Sequence, residues 1–131
     1  MSTASIDTSA IVRILVGDKS ALKVLKLFRE DMIFVLSDIA LSETVYVLEK
    51  VYHKSRAEIG DLVLFFFAKF DSKLRYNRNL VELVFPFYME HPKLSFNDCA
   101  LGALAEIDEA EPLFTLDKKL ARQHPSAKLL S

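Results

Sequence analysis

The chain has 131 residues, 51% hydrophobic and 27% charged, with a formal net charge of −1. That length supports one hydrophobic core and reads as a single domain over residues 1–131. The near-neutral charge excludes the strongly basic type of sequence-independent nucleic-acid binder, and uncharged runs of at most about seven residues are far short of the roughly 20 that span a bilayer. No basic-then-apolar leader is visible, and a lone Cys99 allows no internal disulfide, which together suit a reducing cytoplasm. The apolar fraction is high for so small a chain, so part of it is expected at a subunit or partner interface.

Short apolar runs alternate with helical patterns, which predicts an α/β fold with a parallel sheet. Ala4–Ile6 is the first strand, followed by a helix from Ser9 that stops at Gly17. Asp18 caps a second helix carrying Ala21, Leu22, Leu25 and Phe28 on one face. Met32–Leu36 reads as a strand and Asp38–Tyr52 as a helix. Ser55-Arg56-Ala57-Glu58 has the capping-box pattern and opens a helix through Leu62, Phe66 and Phe70. Leu74–Asn77 is a short third strand. The helical pattern over Leu80–Glu90 is interrupted by Pro86, so the helix starts there, kinks or is short. A helix from Ser95 to Glu109 carries small residues at Ala100, Gly102, Ala103 and Ala105. Leu113–Leu116 is a fourth strand, Asp117–Gln123 a short helix and Ala127–Leu130 a candidate edge strand.

Four acids stand out in this order: Asp7, Glu43, Asp98 and Asp117. Carboxylates are natural ligands for hard cations such as Mg²⁺ or Mn²⁺. Taken singly, three of them have a plainer explanation. Asp7 follows a strand and precedes a helix, so an N-cap and a metal ligand serve equally well. Asp98 lies in a first helical turn, where the macrodipole favours negative charge and Ser95 can cap above it. Asp117 also sits at a strand-to-helix junction. Glu43 differs, because Ile39, Ala40, Tyr46 and Val47 surround it on its helix and a carboxylate on an apolar face is costly unless paired or coordinated. A salt bridge to Lys50 or exposure at the end of the sheet is the alternative. Two basic clusters, His53-Lys54-Ser55-Arg56 and Lys118-Lys119 with Arg122, are either local nucleic-acid contacts or solvated helix ends.

The segments carrying the acids, Ile6-Asp7-Thr8-Ser9, Leu41-Ser42-Glu43-Thr44-Val45, Ser95-Phe96-Asn97-Asp98-Cys99-Ala100-Leu101 and Phe114-Thr115-Leu116-Asp117, resemble the four acidic motifs of PIN domains. Within that group the chain is similar to VapC-like toxins of bacterial type II toxin–antitoxin pairs. Each motif is weak alone; all four in order over nearly the whole chain make the match specific. The resemblance implies a three-layer α/β/α domain around a central, mainly parallel four- to five-stranded sheet. It implies an endoribonuclease that hydrolyses RNA phosphodiester bonds with carboxylate-bound Mg²⁺ or Mn²⁺. A small antitoxin partner and a homodimer are part of the same expectation.

Carried over residue by residue, Asp7, Glu43, Asp98 and Asp117 are the catalytic and metal-binding acids. Ser9 and Thr115 match hydroxyl positions that orient them, and Lys118, Lys119 and Arg122 are placed to contact the RNA backbone. Two other classes compete: a PIN-like module that only binds partners, and a phospho-receiver domain. A receiver wants a pair of adjacent acids after its first strand, where this chain has Asp7 alone.

Overall fold

A computed structural model describes residues 2–130, which form five strands, seven α-helices and one 3-10 turn. Their contacts divide the chain into two compact units, with the division between Asn77 and Arg78.

The first unit holds β1 (Ser2–Ser5), α1 (Thr8–Leu15), a 3-10 turn (Lys19–Ala21), α2 (Leu22–Phe28), β2 (Met32–Val35), α3 (Asp38–Lys50), α4 (Arg56–Lys69) and β3 (Leu74–Arg75). The strands form one parallel sheet in the order β1-β2-β3, with Ser2 opposite Met32, Ser5 opposite Val35 and Phe34 opposite Leu74. Among the described residues β1 pairs on one side only, and its exposed Ser-Thr-Ala-Ser sequence suits a sheet edge. The expected strand Ala4–Ile6 therefore begins two residues early. Ile6 still extends the ladder, donating its N–H to the Val35 carbonyl at 3.0 Å, and is the first buried side chain. Gly17 ends the first helical stretch with φ +73°, a left-handed conformation glycine adopts without strain.

Local chemistry sets the helix starts. Ser55 accepts the Glu58 N–H at 3.1 Å while Glu58 accepts the Ser55 N–H at 3.0 Å, completing the capping box. Asp18 caps the 3-10 turn ahead of α2 through the Ser20 N–H at 2.8 Å. Phe28 lies at the centre of the apolar interior, 1% exposed, with ring centroids 4.6 Å from Phe34, 5.0 Å from Phe70 and 5.9 Å from Phe66.

The second unit holds α5 (Arg78–Glu90), α6 (Phe96–Ile107), β4 (Leu113–Thr115), α7 (Lys118–Gln123) and β5 (Ala127–Leu129). β4 and β5 pair in parallel, Leu113 opposite Ala127 and Thr115 opposite Leu129. All five expected strands are thus present and parallel, and among the described residues they hydrogen-bond as β1-β2-β3 in the first unit and β4-β5 in the second. α5 and α6 pack through Phe85, Tyr88 and Phe96, with centroids 5.3 Å apart for Phe85–Phe96 and 5.5 Å for Tyr88–Phe96. α5 runs unbroken through Pro86. A proline has no N–H for the carbonyl four residues back, here Glu82. Pro86 and Glu82 are both exposed, on the side of α5 that faces solvent, while Val81, Val84, Phe85 and Tyr88 hold the buried face.

Replacing Phe28 by Ala is expected to lower the unfolding free energy by about 3–5 kcal/mol, the usual cost of emptying a buried aromatic site. Urea denaturation of the parent and the variant measures this; a loss under about 1 kcal/mol would show that the ring cluster does not anchor the unit.

Candidate metal centre

In the first unit, Asp7 is the N-cap of α1. Its Oδ1 accepts the Ala10 N–H at 3.1 Å and the Ser9 hydroxyl at 2.8 Å. Both bonds favour the ionised form, the one from Ala10 most, and they hold the carboxyl below its ordinary value. Both fall on Oδ1, and Oδ2 takes neither of them. Thr8, the first residue of α1, donates its hydroxyl to Glu43 Oε2 at 3.1 Å. Asp7 and Glu43 are thereby tied to adjoining residues of one helix start.

Glu43 reaches this position for a reason other than the apolar stripe expected from its neighbours. α3 buries Leu41, Thr44, Val45 and Leu48, and Glu43 lies on the other side, exposed. Ile39 and Tyr46, the apolar residues beside it, are 73% and 63% exposed. The carboxylate therefore carries little desolvation cost, and its placement comes from the hydroxyl of Thr8. Sequence reasoning missed Thr8; its position directly after the capping aspartate was the available signal.

In the second unit, Ser95 caps α6, accepting the Asp98 N–H at 3.0 Å on its hydroxyl. With the cap supplied by serine, the Asp98 carboxylate is left half-buried in the first turn, where the helix dipole favours its charge. Asp117 caps α7, with Oδ1 accepting the Lys119 N–H at 2.8 Å and the Leu120 N–H at 3.2 Å. Thr115 accepts the Asp117 N–H at 3.0 Å and so fixes the backbone that carries this acid. Lys118, Lys119 and Arg122 are exposed on α7. The two lysines sit at the positive end of the helix dipole, where cations are not favoured by the helix itself. In the other basic cluster, Ser55 is occupied as the α4 cap and His53 takes a left-handed φ of 54° after α3.

Among the described residues, no group of three or more His, Cys, Asp or Glu side chains is gathered closely enough to hold a metal ion. The acids divide into pairs, Asp7 with Glu43 and Asp98 with Asp117, one pair in each unit. The donor chemistry nonetheless fits a hard divalent cation. All four side chains offer carboxylate oxygen, and Asp7 and Asp117 each place their capping bonds on one oxygen of two.

An α/β chain of parallel strands, with acids at three helix starts and a fourth on α3, defines a class of domain. The chain belongs to the PIN domain family, whose model matches residues 4–124. No curated protein matches it. Among solved structures it is similar to a chain of the crystal structure of VapBC2 from Rickettsia felis bound to a DNA fragment from their promoter. The identity is 17%, over 98% of this chain and 99% of that one, with a TM-score of 0.42. No helix of the described residues is long and apolar enough to cross a membrane.

The Asp7 bonds have a pH consequence with a definite sign. A carboxyl held below its ordinary value stabilises the fold while ionised, and that contribution is lost as pH falls through the depressed value. Replacing Ser9 by Ala is expected to move the Asp7 value upward, with the Ala10 N–H keeping it partly depressed. A ¹³C carboxyl NMR titration reads this directly. An unchanged Asp7 titration would remove the role assigned to the Ser9 hydroxyl.

Proposed function

We propose that this PIN domain is a metal-dependent endoribonuclease, and that it acts as the toxin of a toxin–antitoxin pair. The observation that carries the reading is the match to the family over residues 4–124, with Asp7, Glu43, Asp98 and Asp117 in order inside it. PIN domains generally are metal-dependent nucleases. The toxin role, the small antitoxin partner and a homodimer rest on the likeness of the motifs to VapC-like toxins. The proposed cation is Mg²⁺ or Mn²⁺, and the proposed compartment is the cytoplasm.

In this reading Asp7 and Asp98 are direct ligands. Glu43 and Asp117 complete the shell directly or through water, since Mg²⁺ commonly keeps several waters. When bound, the cation would lower the pKa of a water and offset charge on the attacked phosphate. The chain's own groups hold the ligands in place. Ser9 orients Asp7, Thr8 orients Glu43 and Thr115 fixes the backbone of Asp117. Lys118, Lys119 and Arg122 contact the RNA backbone and read no bases.

A purely partner-binding PIN module is the competing reading, and one experiment separates the two. Purified protein is incubated with mixed RNAs and Mn²⁺ or Mg²⁺, with and without a chelator. Cleavage is expected with metal and abolished by chelation. Asp7→Asn and Asp98→Asn are each expected to lose more than the roughly 10–100-fold that loss of an outer-shell partner costs. Variants that cut RNA as well as the parent would sink the nuclease assignment.

A further inference from the structure

α7 is bounded by Asp117 at its start and by His124 at its end. His124 is only 7% exposed, and two backbone groups hydrogen-bond its ring. Nδ1 accepts the Ser126 N–H at 3.1 Å, so the neutral ring carries its proton on Nε2. That side of the ring lies over Gly102 of α6, where any β-carbon would collide with the imidazole. The ring also hydrogen-bonds the backbone of Cys99, the residue after Asp98. One side chain therefore ties the end of α7 to α6 and to the approach to β5. Gly102, one of the small residues of α6, is the notch that receives this ring.

We propose that His124 is a positioning residue whose neutral ring latches α7, and with it Asp117, onto α6 beside Asp98, and that protonation of the ring opens the latch. The link to catalysis rests on the nuclease reading above; the latch itself does not. A second ring proton would turn Nδ1 into a donor facing the Ser126 N–H, and two donors cannot share a hydrogen bond. A cavity of about 380 Å³, lined by Phe87, Ala103, Glu106, Glu111 and Pro125 among others, borders the ring and gives it room to leave.

The charged and titratable groups around the ring divide in sign. Glu106 of α6 and Glu111 ahead of β4 favour the protonated form. His91, just past α5, opposes it. His91 stacks on Phe87 at 3.7 Å between centroids, and His124 packs on the same ring at 4.5 Å. The buried Cys99 thiol also lines the site. Burial is the largest influence and holds His124 below the ordinary histidine value, so the ring is neutral at pH 7. A histidine lowered in this way gives its full stabilisation above its ordinary value. That contribution falls away as pH drops toward the depressed one.

The test uses the full chain with ¹⁵N-labelled histidine. At pH 7.5 His124 is expected as the Nε2–H tautomer, and the amides of Ser126 and α7 should lose exchange protection together as the ring titrates. His124→Gln keeps an N–H donor but cannot be protonated, so its Ser126 and α7 amides should keep their protection across the pH range in which the parent loses it. Gly102→Ala, which pushes the ring out, and His124→Ala are each expected to cost roughly 10–100-fold in RNA cleavage at pH 7.5. Amide protection that stays constant through the His124 titration, or that is lost over the same pH range in His124→Gln, would overturn the latch. A parent protein that cleaves no RNA at any pH would overturn the nuclease reading instead, with the tautomer and exchange data still deciding the latch.

Discussion

The first N–H groups of a helix have no partner within it, and the way this chain satisfies them determines where its acids stand. At α1 and α7 an aspartate serves as the cap, and one oxygen of its two does so. At α6 a serine caps instead, and the aspartate three residues on keeps its whole carboxylate. At α1 and α7 the backbone N–H groups hold an exposed acid in place, while at α6 the carboxylate stays half-buried and outside the cap. A carboxylate capped this way keeps its charge and its exposure while losing rotational freedom, which suits the ligand role proposed for it.

Hydroxyls extend the same scheme by one bond. Ser9 and Thr8 follow Asp7 in sequence, yet one turns back to Asp7 and the other reaches across to Glu43 on α3. Thr115 takes the Asp117 N–H two residues on. None of these groups is deeply buried, so their effect is geometric. Such contacts decide whether a ligand waits in the right orientation or must be ordered when the cation arrives.

Much of this was legible in the sequence where the cause is local. Ser55 and Glu58, Asp18 and Ser20, and Ser95 and Asp98 show their pairings by spacing alone, because capping operates over two or three residues. The helices and most strands followed from hydrophobic period. What the sequence concealed depends on partners far along the chain. Glu43 was placed on an apolar face by its helical neighbours, but packing chose the opposite face of α3 to bury. β1 was shifted because a polar edge strand carries no apolar signal, and Gly102 reads as a generic small residue until His124, 22 positions later, is seen filling it. The pairing of β1 with β2 and of β4 with β5 was equally invisible, since strand pairing is not a local property.

Pro86 also matters to the chain before it folds. Leu83-Val84-Phe85-Pro86-Phe87-Tyr88-Met89 is a seven-residue uncharged run rich in strand-forming side chains, the composition that drives unfolded chains to stack into fibrils. The imide nitrogen at its centre cannot donate to a neighbouring strand, so the run is interrupted where it would otherwise pair best. Leu62-Val63-Leu64-Phe65-Phe66-Phe67-Ala68 has no proline and is bracketed by Asp61 and Lys69 instead. The folded helix tolerates Pro86 because the turn it weakens faces water, and the nascent chain gains a safeguard against aggregation at the same position.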